Sequence, residues 1–173
     1  QRTIKSTLQS RMDPTCRQQA RTLSYRRSMS DSNDPHELQR FVEAQEGDVE
    51  RISRELEEGH KRSHWMWYAF PQVEGLGSSP MARRYAIRSL EEAKAYLEHP
   101  VLGPRLRKWT ELVLAVEGRS AEQIFGYPDY LKFRSSMTLF SRAAESGSVF
   151  SRALEKYYDG KPDRKTLQIL GIE

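Results

Sequence analysis

From residue 34 onward, apolar residues recur every three to four positions, and residues that start or stop helices bracket each run. Asp34-Pro35-His36-Glu37 reads as an N-cap, a proline at the first helical position and a capping acid. Leu38, Phe41, Val42 and Gln45 follow at helical spacing until Gly47. Asp48 restarts the pattern with Val49, Ile52 and Leu56, and Gly59 ends it. Ser79-Pro80 opens a helix predicted to carry Met81, Tyr85 and Ile87. Ser89 and Glu92 form a second capping signature, leading to Ala93, Tyr96 and Leu97 before Pro100. Leu102, Leu106, Trp109, Leu112, Val113 and Val116 share one face of a third run. Ser120 and Gln123 bracket a short piece. Tyr127-Pro128-Asp129 opens a long helix with the stripe Tyr130, Phe133, Met137, Phe140 and Ala144. Ser148 caps residues 149–158, and Asp163 to Leu170 form the last turns.

Alternating β-branched runs joined by hairpin turns do not appear. The predicted fold class is therefore all-α: a single multihelical domain of about seven or eight short helices over residues 34–173. Composition changes this picture little. Charged residues make up 30% of the 173 residues and hydrophobic ones 37%, enough for a core but with no apolar run near the roughly 18 to 20 residues that span a bilayer. A soluble, cytoplasmic protein is expected. The single cysteine, Cys16, excludes an internal disulfide framework, and because it precedes the domain it leaves no thiol for chemistry there.

Charge does change the picture. The chain carries a net +4, but residues 1–28 alone carry +6, leaving −2 for the body. Basicity thus belongs to an N-terminal tail, residues 1–33, and nucleic-acid binding by the body is not expected. The tail is rich in Arg and Ser, with Ile4, Leu8 and Met12 at helical spacing. It reads as a transit peptide that would direct the chain to mitochondria, as an extension upstream of a start at Met29, or as a disordered arm.

Two stretches depart from the amphipathic pattern. Lys61 to Gln72 packs Trp65, Met66, Trp67, Tyr68 and Phe70 into six residues, and a glycine loop with Gly75 and Gly77 delivers the chain to Ser79. Hydrophobic on every face, it reads as a buried core segment whose indole N–H groups need partners, or as a pocket wall. The second stretch is Lys132 to Phe140, where Ser135, Ser136 and Thr138 lie beside a core stripe. They read as hydroxyls bonded to the preceding helical turn or as a polar pocket wall. On the functional reading, the two stretches meet around a shared hollow. Its candidate ligand-binding residues are Lys61, His64, Trp65, Trp67, Gln72, Gly75, Gly77, Ser79, Tyr85, Lys132, Ser135 and Ser136. An anionic, nucleotide-like small molecule would suit the two lysines. An alternative is an enzyme with His64 as general acid/base, which requires a polar partner within hydrogen-bond reach. A helical protein-interaction module is a third reading. His60 and His64 lack the HEXXH pattern, so neither a metal nor a cofactor is indicated. Oligomeric state is not legible.

Several longer motifs recur in order: His64-Trp-Met-Trp67, Phe70-Pro-Gln72, Gly75-Leu-Gly77, Glu92 to Leu97, His99-Pro-Val-Leu-Gly103, Arg105-Leu106 and Ser135 to Phe140. Together they resemble the domain-of-unknown-function family numbered 1810, from about Asp34 to Gly171. The resemblance implies a mainly helical fold and carries no established activity. Members of that family are sometimes labelled calpastatin. Inhibitors of that type are extended and disordered, which the density of caps and core stripes here does not fit.

Overall fold

The computed structural model describes residues 33–172, and among these residues there are ten helices. They are α1 (Gln39–Glu46), α2 (Val49–Glu57), α3 (Met66–Ala69), α4 (Pro80–Arg84), α5 (Leu90–Glu98), α6 (Leu102–Ala115), α7 (Ala121–Phe125), α8 (Asp129–Ala143), α9 (Val149–Tyr158) and α10 (Arg164–Leu170). The all-α expectation holds, but the count exceeds seven or eight. Single turns such as α3, four residues long, are too short to leave a periodic signature. The basic tail, with its Ile4–Leu8–Met12 stripe, Cys16 and Met29, lies outside the described residues.

Local chemistry explains most boundaries. Ser120 and Gln123 form a full reciprocal capping box on α7. The Ser79 hydroxyl accepts from the Ala82 amide at 3.1 Å, with Pro80 at the first helical position of α4. Two expectations need correction. Asp34-Pro35 does not cap the first helix: Glu37 takes a left-handed conformation, φ 53°, and α1 begins only at Gln39. The helix opened by Ser79 does not reach Ile87. It stops at Arg84 because Ile87 pairs with the 72–74 segment instead, its amide donating to Gln72 O at 2.9 Å and its carbonyl accepting from Glu74 N at 2.8 Å. That isolated parallel bridge is the one extended pairing among the described residues.

The long helix α8 is the hub, packing against α5, α7, α9 and α10, while α6 packs against α2, α5 and α9. The stripe predicted on α8 is its core face, with Phe133, Met137 and Phe140 fully buried. Phe133 stacks on Phe125 of α7 at 4.6 Å between centroids, and Phe70 meets Phe133 edge-on at 5.1 Å. The aromatic run and α8 therefore interlock directly. No helix among the described residues is long and apolar enough to cross a membrane.

Candidate functional site

The loop between α2 and α3 is organised by one carboxylate. Glu55 looks in sequence like part of a solvated helix face, yet it is only 4% exposed. Its Oε2 accepts from the Arg62 amide at 2.8 Å, the Ser63 amide at 3.0 Å and the Trp65 indole at 2.9 Å, and its Oε1 accepts from the Ser63 hydroxyl. Burial pushes this carboxyl's pKa up, but the Ser63 hydroxyl, the two amides and the indole outweigh that and hold it at about 2. The clamp buries Trp65 completely and fixes the backbone beside it, which in turn fixes Lys61.

Lys61 reaches across to the first residue of α8. Its Nζ lies 2.7 Å from Asp129 Oδ2 and also donates to the Ser63 carbonyl, 5.0 Å from the centre of the Trp65 ring. On the other side of the same carboxylate, Lys132 Nζ lies 2.9 Å from Asp129 Oδ1 and 5.1 Å from the centre of the Trp67 ring. Burial pushes the Asp129 carboxyl up, but the hydrogen bonds and charges of Lys61 and Lys132 dominate and leave its pKa lowered. In the run 65–70, Trp67 is the one side chain left half-buried.

Trp67 also lines a shallow notch open to solvent, together with Gln72, Glu74, Gly75, Gly77, Arg83 and Tyr85. The glycines shape it. Gly75 has φ 99°, a conformation that side chains rarely adopt, and a Cβ on Gly77 would come within 2.5 Å of the Ala82 Cβ. Tyr85 is held from behind by the Phe41 and Tyr68 rings at 5.8 and 5.5 Å. Arg83 is tethered to the Ser78 carbonyl through two nitrogens, at 2.9 and 2.6 Å.

The expected residues therefore divide. Trp67, Gln72, Gly75, Gly77 and Tyr85 share the notch; Lys61, Trp65 and Lys132 belong to the ionic cluster beside it. Ser79 serves as the cap of α4. Ser135 and Ser136 do not line the notch. The Ser135 hydroxyl donates to the Leu131 carbonyl at 3.1 Å, and the Ser136 Oγ is buried with no partner among the described residues. Where the two stretches meet, Phe70 packs edge-on against Phe133, and the notch lined by Trp67 includes neither serine. His64 is exposed, and its side chain makes no hydrogen bond to the described residues; only its carbonyl is engaged, accepting from the Tyr68 hydroxyl at 3.5 Å. Among the described residues, none stands within hydrogen-bond reach of the imidazole.

Sequence reasoning missed Glu55, Glu74, Arg83 and Asp129. Only Glu55 had a legible signal, the need of the Trp65 indole for an acceptor. Among the described residues, no three His, Cys, Asp or Glu side chains gather as a metal site would need.

This all-helical unit, with an aromatic notch flanked by an ionic cluster, matches a family described as a protein of unknown function, DUF1810, over residues 35–170, and the chain belongs to that family. It is similar to a solved structure, that of the conserved hypothetical protein Rv1873 from Mycobacterium tuberculosis. The two are 55% identical with a TM-score of 0.79, over 81% of this chain and 100% of that one. No curated protein matches the chain.

Proposed function

We propose that the notch binds a small anionic ligand carrying a planar, nucleobase-like group. The observation that supports this reading is the double position of Trp67, which lines the notch and lies under the Lys132 ammonium. A planar group beside Trp67 would stack on an aromatic already held in place. Its edge would find Gln72 and Glu74, and its anionic substituent would lie between Lys132 and Arg83. The notch is shallow and open to solvent, so a ligand would lay its planar group there and carry its anionic substituent outside it.

A drug-sized ligand gains about 0.3 kcal/mol per heavy atom, so a mononucleotide of about 23 heavy atoms reaches about 7 kcal/mol, a Kd near 10 μM. At about 1 mM ligand that corresponds to about 2.7 kcal/mol of added stability, and a Tm rise of roughly 5 to 10 °C. The test is thermal unfolding of the full chain with AMP, adenosine and inorganic phosphate. AMP should raise Tm most, and Trp67→Ala and Lys132→Met should abolish the difference. Equal shifts in the wild type and both variants refute the reading.

A further inference from the structure

Asp129 faces two ammonium groups that are held very differently. Lys61 is 6% exposed, bonded to Asp129 Oδ2 and to the carbonyl of Ser63, a residue itself clamped by Glu55. Lys132 is 25% exposed, and its contacts among the described residues are Asp129 Oδ1 and the face of Trp67. An ammonium carries three donors, so Lys132 has donors to spare beside Trp67, the ring that also lines the notch. The two lysines also use different carboxylate oxygens. If Lys132 moves away, Asp129 keeps its bond to Lys61 and no buried charge is stranded. If Lys61 moved away, its ammonium would abandon both of its acceptors, Asp129 Oδ2 and the Ser63 carbonyl.

We propose that Lys132 is a transferable cation: it rests on Asp129 in the empty site and turns to the anionic group of the ligand, while Lys61 stays behind as the counter-charge of Asp129. This rests on the reading of the notch as a ligand site and assigns its affinity control. Asp129 competes with the ligand for one ammonium, so the pair acts as a built-in brake on anion binding. Lys61 weakens that brake by sharing the carboxylate. The preferred ligand is then one whose anionic group outbids a carboxylate for a single ammonium, as a phosphate monoester with up to two charges does and a neutral nucleoside does not.

Two measurements on the full chain test this. The first is AMP affinity by calorimetry for the wild type, Asp129→Asn, Lys61→Met and Lys132→Met. Asp129→Asn should tighten AMP binding about fivefold, Lys61→Met should weaken it by a similar factor, and Lys132→Met should reduce AMP to the affinity of adenosine. The second needs no ligand: the rate at which the Lys132 amine is acetylated by an activated ester, read by peptide mass spectrometry. Asp129→Asn should speed labelling of Lys132 severalfold, and Lys61→Met should slow it. If the wild type binds AMP but Asp129→Asn leaves its affinity unchanged or weaker, the transfer is overturned while the ligand reading stands. If Asp129→Asn does not change Lys132 labelling, the transfer is overturned even where AMP binds. If neither AMP nor phosphate binds the wild type, the ligand reading and the transfer fall together.

Discussion

Replacing Glu55 with glutamine should destabilise the protein in a way that fades with acid. Glu55 accepts four hydrogen bonds, three of them on one oxygen, and its folded-state pKa lies at about 2 against an ordinary 4.5. Because the folded pKa is the lower one, the ionised carboxylate stabilises the fold above the unfolded value. That contribution is lost as pH falls from about 4.5 through about 2. Each unit is worth about 1.4 kcal/mol, so the shift corresponds to about 3 kcal/mol at most. Solvent at the edge of the loop screens part of this, and about 2 to 3 kcal/mol at pH 7 is the working figure. Glutamine imitates the protonated acid: its oxygen can face the three N–H donors while its amide turns to the Ser63 hydroxyl, so the charge is lost and the shape is kept. Urea unfolding followed by tryptophan fluorescence should show Glu55→Gln less stable than wild type by about 2 to 3 kcal/mol at pH 7 and by about 1 kcal/mol at pH 3. An equal loss at both pH values would refute the role of the charge. No loss at either would refute the clamp.

Three further substitutions probe other parts of the fold. Ser136→Ala removes a buried hydroxyl that has no partner among the described residues and improves helix propensity, so urea unfolding should show a gain of about 1 kcal/mol, and a loss would mean the hydroxyl is engaged. Gly103→Ala places a Cβ 2.1 Å from the Leu97 carbonyl oxygen, where the end of α5 crosses the start of α6, and should lower Tm by an amount equivalent to about 3 kcal/mol. Arg40→Ala strands Glu92, whose side chain is 1% exposed and bonded at 2.7 Å, and should cost about 3 to 5 kcal/mol by the same assay. Arg40→Lys should recover little of that, because Arg40 also donates to the carbonyls of His36, Glu37, Arg84 and Ala86 through a planar fork that an ammonium cannot reproduce.

What was legible in the sequence follows the range of the interaction. Ser120–Gln123 and Ser79–Pro80 were readable because a cap is completed within four residues, and the α8 stripe because burial on one face imposes a period of 3.6. Glu92 marks where that reach ends. The Ser89 hydroxyl caps its amide as expected, but the Glu92 carboxylate does not return to close the box. It accepts from the Arg88 amide and from Arg40, 52 residues away. Ile87 fails in the same way: an apolar residue at helical spacing was taken up by a bridge to Val73, and pairing across a loop leaves no periodic trace. The candidate site was half legible. Its aromatics were visible because Trp67 and Tyr85 are costly to leave without a packing partner, and its glycines because they interrupt a pattern.

The serine pair shows why the remainder was not. Ser135 and Ser136 carry the same functional group at adjacent positions, yet helical geometry turns them about 100° apart, and neither direction leads to the notch. The residue of that stretch that touches the notch's Trp67 is Lys132, and what makes Lys132 informative is Asp129, whose other partner comes from a loop clamped by Glu55. The chain of cause runs from a helix α2 carboxylate to a loop, from the loop to a buried lysine, and from that lysine to the carboxylate that holds the exposed one. The decisive link, Lys61 to Asp129, joins residues far apart in sequence, and Asp129 to Lys132 is one that sequence alone would read as an ordinary pair on one helix face. Charge complementarity, unlike hydrophobic burial, imposes no period, so a site built from ion pairs has to be found from its geometry, while the aromatic frame around it can be found from its spacing.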